Sequence, residues 1–156
     1  MNTPQPNQQL KILILNSEYP PIGGGAGTAT ANLARFMASK GLDVKVCTSQ
    51  YSHLPIREVK NGFEIVRVPS RRDRADRTNP IEQTSFIFSS FRYCLNNFGK
   101  WKPDVVWAFF GIPSGITALA VKLLYGIPYI VSLRGGDVPG FRPYDFQKFH
   151  RLGAPF

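Results

Sequence analysis

Short apolar runs and longer segments of helical periodicity alternate along most of this chain. The first apolar run, residues 10–16, has no regular polar alternation, which indicates a strand buried on both faces, as in a parallel sheet. The segment Phe63–Val68 follows the turn signal Asn61-Gly62. Its alternating pattern, with valine and isoleucine, predicts a further strand. The other predicted strands cover residues 43–48, 105–108 and 128–133.

The predicted helices cover residues 28–40, 80–98, 114–125 and, for a short one, 145–151. Gly27 or Thr28 can cap the first helix, and Gly41 then ends it in the left-handed conformation that glycine tolerates. The second helix opens at Pro80, a favourable first-turn residue. Its apolar residues recur at spacings of three, four and three, so we expect this face in the core: Phe88, Phe91, Leu95 and Phe98.

Strands that alternate with helices predict the fold class: an α/β, Rossmann-like open sheet, mainly parallel, with helices on both faces. In such a sheet the ligand site lies outside the carboxyl ends of the strands, where the strand order reverses. Three glycine-containing loops follow predicted strands and are expected to meet at that rim. They lie at residues 17–28, 111–113 and 134–140.

Composition places the chain among ordered globular domains. With 156 residues, 43% hydrophobic and 19% charged, it has enough apolar residues for one core. No run reaches the roughly 18 apolar residues of a membrane span. Residues 1–9 lack the basic start and apolar stretch of a signal peptide, so we expect a disordered leader and a cytoplasmic location.

The net charge of +9 is partly local, because residues 70–79, predicted to be a loop, are rich in arginine. Such a balance favours an anionic partner: phosphates, an acidic membrane surface or nucleic acid. A solvated loop is the equally weighted alternative. Nucleic acid is disfavoured because the arginines lie in a turn-like run together with aspartates, and the aromatics lie on a separate helix. The candidate contacts with an anionic surface are Arg71, Arg72, Arg74 and Arg77.

Cysteine and histidine offer no metal or nucleophile pattern. Cys47 and Cys94 lie far apart in apolar surroundings, which predicts two reduced, buried thiols. His53 and His150 have no ligand spacing to any other residue, so no metal site is expected.

The glycine-rich loop after the first strand does not match the common nucleotide-binding motifs. Counting from Gly23 or Gly25, the third glycine of G-x-G-x-x-G is replaced by threonine. No acidic residue follows the second strand to hold a ribose, and no Gly-Lys-Ser/Thr or Gly-x-Ser-x-Gly sequence occurs. The loop amides and the helix N-terminus are suited to an anion, or the glycines serve close strand-to-helix packing.

A set of short motifs resembles the start of family 4 glycosyltransferases of the two-domain GT-B type. The set consists of Tyr19-Pro20-Pro21, Gly23–Gly27, Pro103–Val106, Gly126–Val131 and Arg134–Val138, in that order. The resemblance covers nearly all of residues 10–140. It implies that residues 10–156 form a truncated N-terminal, acceptor-side domain, and that a C-terminal donor domain carrying a Glu-x7-Glu motif is absent from this chain.

The resemblance also implies site residues. Gly23, Gly24 and Gly25 match the glycine loop that approaches the donor diphosphate, with Gly27 and Thr28 beside them. A second loop, Gly135 and Gly136 between Arg134 and Asp137, matches a motif that often reads His-Gly-x-Asp. Arg134 replaces the histidine and cannot act as a general base, although it can neutralise phosphate or orient an acceptor. A local salt bridge between Arg134 and Asp137 is the alternative.

The expected function is therefore that of the acceptor-binding half of a retaining glycosyltransferase. The complete enzyme would transfer a sugar from a nucleotide sugar to a glycan or lipid-linked acceptor, without a further cofactor, and this fragment alone would be inactive. The arginine loop and the phenylalanine-rich helix would provide peripheral contact with an anionic membrane. The alternatives are a non-catalytic Rossmann-like module that binds a phosphorylated ligand and, less favoured, a regulatory or nucleic-acid partner.

Overall fold

The computed structural model describes residues 9–134, which form one sheet with helices packed on its two faces. The predicted leader, apart from residue 9, and the helix expected at 145–151 lie outside the described residues. The strands are β1 (Lys11–Leu15), β2 (Asp43–Ser49), β3 (Arg57–Lys60), β4 (Phe63–Val68), β5 (Val105–Phe109) and β6 (Tyr129–Ser132). The helices are α1 (Gly25–Ser39), α2 (Pro80–Asn97) and α3 (Ile116–Tyr125).

The strand order is β3-β4-β2-β1-β5-β6, and every pair is parallel except β3 with β4. The central strand β1 pairs with β2 on one side and with β5 on the other, so the direction of winding reverses between β1 and β5. The predicted α/β class and mainly parallel open sheet are confirmed.

Each face of the sheet carries its own core, which explains why β1 has no polar alternation. Ile12 and Ile14 point to the face covered by α1, whereas Leu13 and Leu15 point to the face covered by α2 and α3. These four side chains are all buried. The predicted burial of the first strand on both faces, and helices on both faces of the sheet, are therefore confirmed.

The edge strand β3 was not predicted, because the sequence gives no hydrophobic signal for it. Its only apolar residue, Val59, is 78% exposed. The strand forms because Asn61 and Gly62, with φ of 53° and 83°, build the two-residue turn that returns the chain antiparallel from Lys60 to Phe63. The turn prediction at these two residues is confirmed.

The apolar face predicted for α2 was wrong in phase. Phe88 is 70% exposed and Leu95 is also exposed, although Phe98, just past the helix, is buried. The face of α2 that packs against the core instead includes Phe86, Ser90, Tyr93 and Cys94. Apolar periodicity did not indicate this face because it contains the polar Ser90, whose hydroxyl is hydrogen-bonded to the hydroxyl of Thr117 on α3 at 2.9 Å.

The observed helix ends match the predicted glycine and cap positions only in part. Helix α1 begins at Gly25 with Gly24 as its N-cap, so Gly27 and Thr28 lie inside it and the predicted caps were wrong. Gly41, with φ of 82°, follows that helix in the predicted left-handed conformation. Helix α3 begins at Ile116 instead of residue 114, after an irregular turn over Phe110–Gly115.

The two thiols are free and buried, as predicted. Burial raises the pKa of Cys47, and it raises the pKa of Cys94 to about 12. Both thiols therefore remain protonated at neutral pH and behave as small apolar core residues. Among the helices described here, none combines the length and apolarity that crossing a membrane requires.

Candidate functional site

The loops at the carboxyl ends of β1, β5 and β6 define one rim of the sheet. The glycine loop follows β1, the irregular turn Phe110–Gly115 follows β5, and Arg134 lies two residues beyond β6. The strand order reverses between β1 and β5, so the loops after these strands flank the crevice where open α/β sheets bind ligands.

Asn16 fixes the start of the glycine loop. Its side chain is buried, and its Nδ2 donates to the hydroxyl of Thr30 at 2.7 Å and to the carbonyl of Ala26 at 3.3 Å. Its Oδ1 accepts from the amide of Glu18 at 3.0 Å. One side chain thus ties the end of β1 to the first turns of α1. We assigned Asn16 no such role from the sequence, although a polar residue that ends a buried strand signals one.

Two of the glycines are required by the packing of the loop itself. Gly23 has φ of 81°, and a Cβ built on it would lie 2.5 Å from the Cβ of Glu18. A Cβ on Gly27 would lie 3.0 Å from the carbonyl oxygen of Ile22, because α1 crosses the loop closely there. For these two positions, the packing alternative raised from the sequence explains the glycine.

Gly24 and Gly25 instead border open space at the N-terminus of α1. A Cβ on either would meet no heavy atom within 4 Å among the residues described. The first-turn amides of a helix have no intrahelical acceptor, so this end attracts negative groups. Glu18 already places a carboxylate there: its Oε2 accepts from the amide of Gly24 at 3.3 Å. Thr28 is exposed one turn further along α1.

The arginine loop, residues 70–79, is hydrogen-bonded to the glycine loop. The amide of Gly23 donates to the carbonyl of Ala75 at 2.8 Å. Arg72 is buried beneath, and its guanidinium donates to the carbonyls of Ser17 at 3.1 Å, Arg74 at 2.8 Å and Ala75 at 3.2 Å. Predicting Arg72 as an anionic-surface contact was therefore wrong: its donors hold two loops together.

The charges around Arg72 are balanced locally. Burial lowers the pKa of its guanidinium, and the carboxylates of Glu18, Glu82 and Asp76 counteract that effect. Glu82 is itself buried at the start of α2, where it accepts from the amides of Asp73 and Asn79, each at 3.2 Å. The arginine loop is thus anchored from the β1 side and from the α2 side.

The other three arginines of the loop are exposed but differ in their partners. Arg74 and Arg77 both pair with Asp76, at 3.2 Å and 3.7 Å. A hydrogen bond from the backbone of Asp76, and a second one from the Arg74 side chain, hold the pKa of the Asp76 carboxyl below its usual range. Arg71 makes no ion pair with any residue from 9 to 134. It is therefore the arginine of this loop whose charge is best placed for an external anion.

Arg134 lies at the same rim, after β6. Its guanidinium carbon is 5.3 Å from the centroid of the Phe109 ring, at the end of β5, and the side chain remains exposed. Asp137, Gly135 and Gly136, predicted beside it, lie outside the described residues. The arrangement holds a stacked cation and open amides at one rim, which is suited to orienting a ligand.

The open, mainly parallel sheet, with a crevice where the strand order reverses, defines a Rossmann-like domain. The family model described as "Glycosyl transferase 4-like domain" matches residues 24–154. The chain belongs to this family and has the features of an N-terminal domain of a family 4, GT-B glycosyltransferase. The resemblance noted in the sequence is thus confirmed.

Individual relatives agree with this membership. The chain is 26% identical over 162 aligned residues to the putative teichuronic acid biosynthesis glycosyltransferase TuaC of Bacillus subtilis, covering 91% of this chain and 41% of that protein. The chain therefore spans about two-fifths of the curated relative it matches.

Two solved structures have the same fold. CalG4, the calicheamicin glycosyltransferase, superposes with a TM-score of 0.63 at 18% identity, over 95% of this chain and 36% of its own. Sucrose-phosphate synthase from Thermosynechococcus elongatus gives 0.61 at 13% identity, over 79% and 32%. At these identities the superpositions establish the fold alone.

Proposed function

We propose that this chain is the acceptor-side domain of a retaining glycosyltransferase. The complete enzyme would transfer a hexosyl group from a nucleotide sugar to a glycan or lipid-linked acceptor, in the biosynthesis of a polysaccharide or lipopolysaccharide. The observation that carries the proposal is the open Gly24–Gly25 rim at the reversal of strand order, in a chain that belongs to a glycosyltransferase family. Family membership does not favour the alternative of a non-catalytic module.

The chemical groups at the rim indicate what this domain would contribute and what a second domain would have to supply. Backbone amides and the exposed guanidinium of Arg134 can neutralise and orient an oxyanion, as in other anion sites at helix N-termini. Helix-end charge alone contributes only about 0.3–1 kcal/mol, and the Glu18 carboxylate competes for the same amides. A second domain would therefore hold the nucleotide sugar and bring its diphosphate against Gly24 and Gly25, without a metal or other cofactor.

In this account Arg134 and Asp137 orient the acceptor or the leaving phosphate. Arginine stays protonated, so the acceptor proton would pass to the departing phosphate oxygen as the new glycosidic bond forms. The domain would act in the cytoplasm, at the inner face of an anionic membrane, where the exposed Arg71, Arg74 and Arg77 provide peripheral contact.

A substitution at the open rim tests the proposal in the complete protein. Gly25→Val places a branched side chain where nothing lies within 4 Å, so it should obstruct the cleft without disturbing the loop. We expect kcat/KM for sugar transfer from labelled nucleotide sugars to fall about 100-fold, the effect of a small misplacement of reacting groups. Proton NMR of the product should show that the donor's anomeric configuration is retained.

Gly99→Val is the matched control, because Gly99 also borders open space but follows the C-terminal end of α2, away from the rim. Its activity should stay within about twofold of the unmodified enzyme. Equal activity of the two variants would remove the glycine rim from the site. Inversion of configuration, or no transfer from any nucleotide sugar, would overturn the proposed reaction.

A further inference from the structure

Glu18 places a negative charge at the glycine rim. It lies three residues beyond the end of β1, and its side chain is only partly buried. The side chain makes one hydrogen bond within residues 9–134, the long one of 3.3 Å from the amide of Gly24 to Oε2. No lysine or arginine in that range forms an ion pair with it. The carboxylate therefore keeps most of its hydrogen-bonding capacity, including all of Oε1, for another molecule.

The loop holds this carboxylate in place. The amide of Glu18 donates to Oδ1 of Asn16 at 3.0 Å. The next residue, Tyr19, is buried with its ring edge-on to Phe63. The Glu18 side chain lies over Gly23, where only a residue without a Cβ leaves room for it. A charged group that is already fixed loses less conformational entropy when a ligand binds, so it is suited to recognition.

The other side of the crevice holds a second polar group without a partner. Ser114 belongs to the irregular turn that follows β5 and is fully buried, and its hydroxyl has no hydrogen-bond partner among residues 9–134. Buried polar groups are nearly always paired, so an unpaired one requires an explanation. A ligand hydroxyl that enters the crevice between the loops after β1 and β5 would supply the missing partner.

The groups on these two sides complement a neutral sugar ring better than an anion. A sugar hydroxyl donates to a carboxylate and accepts from an amide at the same time, so it matches a rim where the Glu18 acceptor lies beside the amides of Gly24 and Gly25. A carboxylate or phosphate on the ligand has acceptors only and would be repelled by Glu18. Since Gly24 is already bonded to Glu18, the diphosphate of a donor would lie nearer the Gly25 amide.

We propose that Glu18 is a specificity-determining residue that accepts a hydrogen bond from a hydroxyl of the acceptor sugar, with Ser114 as a second contact to the same ring. The site would thereby select an acceptor whose reacting ring is a neutral hexose, and reject one that carries a carboxylate or phosphate on that ring. This inference rests on the proposed function, because it treats the rim as the acceptor side of a glycosyltransferase cleft. It adds the chemistry of the acceptor.

The test is an NMR titration of the isotope-labelled 156-residue chain with methyl glycosides. Methyl glucoside and methyl galactoside are the neutral probes, and methyl glucuronide and methyl galacturonide are their anionic counterparts. The amide signals of Gly24 and Gly25 should shift and saturate with a neutral probe, with a Kd on the order of 10 mM, as expected for a few hydrogen bonds. The uronides should bind about tenfold more weakly, because Glu18 repels their carboxylate.

Glu18→Gln keeps the size of the side chain but removes its charge. It should weaken binding of the neutral probes about tenfold and bring the uronides to within about twofold of them. Asp104→Asn is the matched control, because Asp104 also accepts from one backbone amide, that of Lys11 at 2.8 Å, and has no ion pair among residues 9–134. Asp104 precedes β5, at the opposite end of the strands, so this variant should bind both kinds of probe like the unmodified chain.

Ser114→Ala separates a binding role from a structural one. Removal of a buried hydroxyl that has no partner should leave the melting temperature of the free chain unchanged or raise it. The same change should weaken binding of the neutral probes about fivefold, through the loss of one hydrogen bond. Ser90→Ala is its control: the Ser90 hydroxyl is buried but paired with Thr117, so this variant should melt at a lower temperature and keep its sugar affinity.

Three results would overturn the role of Glu18. They are the absence of shifts at Gly24 and Gly25 with the neutral probes, equal binding of neutral and anionic probes by the unmodified chain, and equal binding by the Glu18 and Asp104 variants. Full sugar affinity in Ser114→Ala would remove the second contact.

The proposed function is tested separately, by sugar transfer in the complete protein and its Gly25→Val variant. Transfer without sugar-induced shifts at the rim would refute the role of Glu18 alone. Binding of neutral sugars without transfer from any nucleotide sugar would refute the proposed function, and with it the assignment of the bound ring to an acceptor.

Discussion

Replacing Arg72 by methionine should lower the free energy of unfolding by about 3 kcal/mol. Methionine keeps the apolar stem of the side chain but removes every donor. The carbonyls of Ser17, Arg74 and Ala75 would then lose a partner in a buried setting. Urea unfolding followed by circular dichroism measures the change.

Arg74→Met is the control for this prediction, since Arg74 is exposed and pairs with exposed Asp76. Its unfolding free energy should change by less than about 0.5 kcal/mol. Trypsin should also cleave the Arg72 variant faster at Arg71, Arg74 or Arg77, because the loop has lost its anchor. An Arg72 variant as stable as the Arg74 variant would contradict the role assigned to the buried guanidinium.

Replacing Gly23 by alanine should destabilise the chain by about 3 kcal/mol, from two separate causes. A non-glycine residue at φ of 81° is strained, and the new Cβ would lie 2.5 Å from the Cβ of Glu18. Gly41→Ala separates the two, because Gly41 has φ of 82° but borders open space. That control should cost about 1 kcal/mol, from the backbone conformation alone.

The difference between the two alanine variants, about 2 kcal/mol, is then assigned to the Glu18 contact. Adding Glu18→Gly to the Gly23 variant removes the clashing atom, so the combined change should recover part of that difference. Equal costs at Gly23 and Gly41 in urea unfolding would show that the close approach of Glu18 is not what requires glycine in this loop.

Most of the sheet was predictable because a strand that is buried on both faces has a run of apolar residues without polar alternation. In β1 the four buried residues that follow Lys11 are all apolar, whereas the edge strand β3 is mostly exposed and is held by its turn, so its sequence has no comparable apolar run. The buried face of α2 was predicted wrongly because the apolar Phe88 and Leu95 lie at the helix surface, whereas the polar Ser90 lies in the core. The apolar periodicity of a helix does not show whether its apolar face lies in the core or at the surface.

The candidate site was predicted in its location but not in the roles of its residues. Four neighbouring glycines look equivalent in the sequence, yet contacts with Glu18 and Ile22 make Gly23 and Gly27 structural and leave Gly24 and Gly25 open. Similarly, the arginines of the 70–79 loop differ only in three dimensions. Arg72 turns inward to three carbonyls, and Arg71 is left without an ion-pair partner among residues 9–134.

Under the proposed function, this chain provides one side of a cleft whose donor site belongs to another domain. Calorimetric titration of UDP- and GDP-sugars into the 156-residue chain tests it most directly. We expect no saturation up to about 1 mM, because first-turn amides and one exposed guanidinium supply too little of the roughly 8 kcal/mol that micromolar binding requires. Saturable binding in the micromolar range would contradict the account, because the donor site would then lie within this chain.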